Sequence, residues 1–226
     1  MKKVFLPIVF VILLPLTYSC GSIRGGYMLN EKDAANAIRE LLQLGASNNN
    51  LSGAFNRDAI LSSLFPESVT KALNVMNMLG MTKEIDRFTT TLASAAEQSA
   101  QTSVPIFVSS INRMSFTDAM RVIKNGGTSA TDYLRSSVGN ELRSSLRPTM
   151  QKAIAEYKLN EQWSKIVKPA QSIFGSKFNP DLSSIMATLV ADAMFKKIEE
   201  KEIQVRNEAS ARTTPLLQKV FSKNWN

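Results

Sequence analysis

Apolar residues recur along this chain at three- and four-residue intervals, and strict apolar–polar alternation is nearly absent. That period puts side chains on one stripe of an α-helix and leaves no half-buried strand face. The fold class it predicts is all-α. Asn30 reads as an N-cap with Asp33 three residues on, and Ala35, Ile38, Leu41 and Leu42 form the stripe that Gly45 ends. The polar stretch ASNNNLSGAFNRD reads as a loop. Pro66 suits a first helical turn, with Val69, Leu73, Met76 and Leu79 on one face and Gly80 as the stop. Thr82 caps a longer helix carrying Ile85, Phe88, Leu92 and Ala96 inward; its second half, ASAAEQSA, is small enough for close approach of another axis. Pro105 is expected to open a separate short helix, PIFVSSINRM.

Two later stretches have the Ser-x-x-acid form of a capping box: Ser115 to Asp118, and Ser129 to Asp132. Both acids are expected to serve the N-terminal ends of helices. Asn125-Gly126-Gly127 separates the two. The next helical pattern is expected to split or kink at Pro148, and Pro169 to Lys177 reads as loop-rich. Asn179-Pro180-Asp181 starts the longest helix, which runs to about Asn207 with Leu182, Ile185, Leu189, Phe195 and Ile198 inward. A last helix starts at Thr214-Pro215, where Leu216, Leu217, Val220 and Phe221 share a face. The sum is one compact domain over residues 29–226, with about eight to ten helices.

The N-terminus is different. Lys2 and Lys3 precede an apolar run from Val4 to Leu16, the layout of a secretory signal peptide over residues 1–19. The run is too short to span a bilayer, which takes about 20 apolar residues, and it holds Pro7 and Pro15. It leads into Ser19-Cys20-Gly21, and Cys20 is the single cysteine of the chain. A lone exported thiol cannot form an internal disulfide. The stretch resembles a bacterial lipoprotein signal, with Cys20 as the lipid attachment site and residues 20–28 as a flexible tether. The expected partner of those acyl chains is the membrane of the cell envelope. The absence of aspartate after Cys20 points to the outer membrane.

Composition narrows the chemistry. Net charge is +8, or +6 once Lys2 and Lys3 leave with the signal, but the basic residues are scattered and lack aromatic interleaving. Nucleic acid is not an expected partner. The chain has no histidine, so no Ser-His-Asp or Cys-His triad and no imidazole metal ligand can form. No phosphate-binding glycine loop and no EF-hand spacing occurs. No cofactor is implied. Chemistry would fall to carboxylates. Glu199, Glu202 and Arg206 lie on one side of the long helix, and Glu202 with Arg206 makes an i,i+4 pair that reads as a solvated face. The sharper reading gathers Glu97, Glu199 and Arg206 in a polar cleft, for acid–base work or a divalent cation. Arg212 is expected at the junction before the last helix, near Glu199 and Glu202, with the tail docked on the long helix.

Four stretches carry a resemblance: PIFVSSINRMSFTDAMRVIKNGGTSATDYLR, LFPESVTKALNVMNMLG, IEEKEIQVRNEA and ARTTPLLQKVF. The chain resembles the bacterial family called domain of unknown function 4197 over nearly all of its mature length. Where many members have Asn-Arg-Ala-Ala-Glu, this chain has Ala93-Ser94-Ala95-Ala96-Glu97. The resemblance implies an exported, all-helical protein, often a lipoprotein, with no established activity. The sequence therefore reads as a lipid-anchored envelope protein that binds an envelope partner or has a structural role. The rival readings are a carboxylate-based enzyme and a carrier for an apolar ligand.

Overall fold

The structure, a computed structural model, describes residues 27–51, 54–55 and 65–225. The expected signal peptide, Cys20 and most of the tether lie outside the described residues. Within them the chain forms eight α-helices and no strand: α1 Glu31–Gly45, α2 Glu67–Met78, α3 Thr82–Arg113, α4 Ala119–Asn125, α5 Ser129–Glu156, α6 Leu159–Phe174, α7 Leu182–Asn207 and α8 Pro215–Phe221. Short 3-10 turns stand at Asn48–Asn50 and Ala209–Ala211. This is the all-α, single-domain fold that the periodicity predicts.

The middle of the bundle is α7. It packs on α5 most extensively, then on α1 and α3. Its buried residues, among them Met186, Leu189, Val190, Met194, Phe195 and Ile198, therefore occupy more than one face. Phe195 meets Phe107 of α3 edge to face, with ring centres 5.6 Å apart. A methyl group on Gly45 would lie 2.8 Å from the Ile198 Cα, so glycine is what lets α1 and α7 touch backbone to backbone. Phe88 of α3 stacks on Trp163 of α6 at 5.1 Å, closing the other flank.

The proline expectations are corrected where they called for a break in the helix. Pro105 lies inside α3, which makes α3 the longest helix; Pro148 lies inside α5, and Pro169 inside α6, which continues to Phe174. An interior proline strips the carbonyl four residues back of its partner. Here Pro105, Pro148 and Pro169 are exposed, and so are Gln101, Ser144 and Lys165 four residues before them. Each orphaned carbonyl belongs to a residue exposed to solvent, so the lost bond need not leave a buried acceptor unpaired. Buried residues on both sides of each proline, such as Ser103 and Phe107 in α3, hold the helix to one core.

The C-terminal helix docks as part of the fold. Leu217, Val220 and Phe221 are buried, and Leu216 is half-buried. The Thr214 hydroxyl accepts the Leu217 N–H at 3.1 Å, as expected of that cap, and donates to Glu40 of α1 at 2.6 Å. The main support of α8 is α1, with a smaller contact to α7, so the expected docking on the long helix is only the lesser part. No helix among the described residues is long and apolar enough to cross a membrane.

Candidate functional site

Of the predicted polar residues, Ser129, Glu202, Arg206 and Arg212 come together where α4 and α7 end and α5 begins. Glu202 is fully buried on α7. Its carboxylate accepts the Ala130 N–H at 3.0 Å, the Thr131 N–H at 2.8 Å and the Thr131 hydroxyl at 2.7 Å, all at the start of α5. Arg206, one turn on, donates to the same carboxylate from Nε at 3.0 Å and Nη2 at 2.8 Å. It also donates to the Ile123 and Val122 carbonyls of α4, at 3.0 and 3.3 Å, and to the Ser129 hydroxyl at 3.2 Å. The pair is thus a buried clamp, and not the solvated face its spacing suggests. The acid sits at a helix N-terminus and the base at a helix C-terminus, each complementing the helix dipole there.

The two capping boxes are corrected by the same geometry. Ser129 is already inside α5, one residue past the N-cap Thr128, and its hydroxyl donates to the Val122 carbonyl at 2.6 Å. Asp132 accepts from Thr128 at 2.9 Å and pairs with Arg135 at 3.0 Å. The stretch from Ser115 to Asp118 ends before α4 begins at Ala119. Asp118 has φ +67°, outside the extended region a side-chain cap requires, and its carboxylate pairs with Arg121 at 3.0 Å. Glu31 of α1 does the capping instead: its carboxylate accepts the Ala119 N–H and, at 3.4 Å, the Met120 N–H. The Ser115 carbonyl accepts the Tyr133 hydroxyl at 2.9 Å.

The other predicted residues divide. Arg212 is at the junction, but its guanidinium donates to the Val205 and Arg206 carbonyls at 2.9 Å each, capping the end of α7 without touching Glu199 or Glu202. Glu199 is half-buried and pairs with Arg135 at 3.2 Å. Glu97 is exposed on α3, and none of the cluster's hydrogen bonds or ion pairs involves it. The cleft of Glu97, Glu199 and Arg206 is therefore not formed. No group of three or more acids or cysteines able to hold a metal ion occurs among the described residues.

Beside the clamp lies a cavity of about 450 Å³ that sequence reasoning missed. Among the described residues its charged lining is Lys124, Arg206, Arg212 and Lys223, with no Asp or Glu. Ile203, Phe221 and Trp225 give it an apolar wall, and the Arg206 guanidinium stacks over Phe221 at 5.2 Å. Gly126 and Gly127, at φ +68° and +56°, form the floor; L side chains rarely adopt those angles, so glycine makes this turn possible. Asn125-Gly126-Gly127 and the tail were visible as punctuation, but nothing in one sequence says that they meet. One residue of the expected tether, Tyr27, stands at the rim, against two of the lining residues. Tyr27 packs edge to face on Trp225 at 5.7 Å, its carbonyl accepts from Lys223 at 3.4 Å, and Lys219 lies 3.7 Å over its ring. Its hydroxyl donates to Asp33 at 2.7 Å. Burial first, then that hydrogen bond, pushes the Tyr27 phenol up to about 12.

The family model described as "Protein of unknown function (DUF4197)" matches residues 28–222. The chain belongs to this family. No curated protein and no solved structure matches it. Within this DUF4197 domain, two of the stretches quoted above, PIFVSSINRMSFTDAMRVIKNGGTSATDYLR and IEEKEIQVRNEA, meet in space. The turn before α4, the start of α5 and the end of α7 are joined by the Glu202–Arg206 clamp and by Tyr133, whose ring stacks on Phe116 at 5.6 Å.

Proposed function

We propose that the protein is a lipid-anchored component of the bacterial envelope, held through Cys20 at the outer membrane, whose domain binds a ligand or partner and does not catalyse a reaction. The lone cysteine after the apolar run supports the anchor. The binding half rests on one observation: the cavity beside Tyr27, lined among the described residues by four cations and an apolar wall, with no Asp or Glu. The acids that the enzyme reading gathers stand apart: Glu97 is exposed on α3, and Glu199 pairs with Arg135. Glu202, fully buried, accepts five hydrogen bonds from four groups of the protein itself. The carrier reading calls for a methionine-rich apolar interior, and no methionine lines this cavity.

The anchor is tested in cells given radioactive palmitate. Wild type should take up label and Cys20→Ala should take up none, leaving the chain unprocessed or released from the membrane. An unlabelled wild type, or a mature chain starting at another residue by mass spectrometry, overturns the anchor.

A further inference from the structure

We infer that the cavity at the α4–α5 turn binds the phosphate group of an anionic membrane lipid. This deepens the binding reading above. Three features of the cavity lead there. Arg206 is balanced by Glu202, but Lys124, Arg212 and Lys223 have no carboxylate partner among the described residues. Arg212 spends Nε and Nη2 on backbone carbonyls at the end of α7, and no carboxylate among the described residues neutralises it. Like charges around one cavity repel, and an anion placed among them relieves that repulsion. The second feature is the wall. Ile203 is 43 % exposed beside these cations, next to Phe221 and Trp225. A cation cluster with an open apolar side suits an amphiphile better than a small hydrophilic anion. The volume of about 450 Å³ lies within the range of ligand cavities.

The third feature is place. Tyr27 sits on the rim, and Cys20 precedes it by seven residues. Seven residues reach at most about 25 Å, so an anchor at Cys20 keeps this rim close to the headgroups. Tyr27 and Trp225 with Lys219 and Lys223 are also the side-chain types that settle at a membrane–water interface and meet anionic lipid.

The test uses the chain from residue 20 onward with Cys20→Ser, so that no acyl chain contributes and a failed anchor is read separately. It is sedimented with vesicles of phosphatidylcholine, or of phosphatidylcholine with phosphatidylglycerol, at physiological salt. We expect at least tenfold stronger partition onto the anionic vesicles. Lys124→Glu with Lys223→Glu should remove that gain, and the milder Lys124→Gln with Lys223→Gln should remove most of it, with circular dichroism unchanged. Lys83→Glu with Lys165→Glu makes the same charge change at another groove, between α3 and α6, and should reduce partition less than threefold. Equal partition onto both vesicles overturns the proposal, as does equal loss in the two Lys→Glu pairs. Inorganic phosphate and glycerol 3-phosphate are titrated in parallel by calorimetry. Saturable binding of either without vesicle partition overturns the lipid as source and leaves a soluble phosphate in its place.

Discussion

Two kinds of helix start coexist in this domain. In α1, α7 and α8 the cap comes from the residue just before the helix: Asn30, Asp181 and Thr214 each accept an N–H two or three residues on. In α4 and α5 the N–H groups go to carboxylates distant in the chain, Glu31 across 88 residues and Glu202 across 71 and 72. The chemistry is the same, since a helix leaves its first N–H groups without internal partners. The difference lies in what each cap joins. A local cap fixes where a helix begins. A remote cap also fixes which helices meet, and it couples the stability of one end to the position of another. Glu202 does so in a dry interior and Glu31 at an exposed position, so the two remote caps differ in what replaces them when lost.

The largest effect follows from that burial. Glu202→Ala leaves two N–H groups and the Arg206 charge without their acceptor, while the Arg206 side chain is only 11 % exposed. Breaking a buried ion pair from one side costs about 3–5 kcal/mol. For a domain of this size that lowers Tm by about 6–20 °C. Urea denaturation of the chain from residue 20 checks it. Adding Arg206→Met should recover part of the loss, because the uncompensated charge goes with it. A Glu202→Ala loss below about 1 kcal/mol would place the clamp among ordinary surface pairs.

The same contrast explains what the sequence could disclose. Periodicity carried the fold class because burial on helix stripes repeats every few residues, and Asn30 and Thr214-Pro215 were legible because cap and capped group are neighbours. The Ser-x-x-acid stretches misled. Ser115 and Ser129 have the right local grammar, but Glu31 and Glu202 reach the N–H groups from other helices, and the serines were left to other bonds. Glu202 and Arg206 were visible as a pair at helical spacing. Their burial was not, because it depends on α4, α5 and α8 closing over that end of α7. Pro105, Pro148 and Pro169 were read as boundaries, since a single sequence does not say which of its proline faces point to water. Lys124, Lys223 and Trp225 were passed over because the cavity they line exists only once α8 has folded back on α1.

A smaller effect separates exposed remote caps from local ones. Glu31→Ala and Thr214→Ala should each cost about 1 kcal/mol, within the 0.5–2 range of cap removal. Equal losses in thermal unfolding would show that sequence distance adds nothing by itself and that burial sets the value. A Glu31→Ala loss approaching that of Glu202→Ala would reverse this, making the tie between α1 and α4 the larger contribution.

The smallest effect concerns the charge of a local cap. Asp181 accepts from the Ser183 N–H at 3.0 Å, the Ser183 hydroxyl at 2.8 Å and the Ser184 hydroxyl at 2.7 Å, and it pairs with Arg147 at 2.6 Å. The Ser184 bond, followed by those from Ser183, holds its carboxyl below the ordinary value of 3.8 against the opposing effect of burial. A group whose folded pKa is depressed contributes stability that is present above its unfolded value and lost as pH falls through the folded one. Asp181→Asn keeps an acceptor for the Ser183 N–H, since asparagine caps about as well as aspartate, but it removes the charge. Wild type should therefore be the more stable at neutral pH, and the two should converge below about pH 4. The difference should stay under about 1 kcal/mol, because the Asp181 side chain is 50 % exposed and its pairing with Arg147 is screened. Urea midpoints across that range read it directly. A gap that persists unchanged at acid pH would mean that Asp181 acts through the geometry of its cap alone. The charge would then matter only at the remote cap, where the fully buried Glu202 has Arg206 against it.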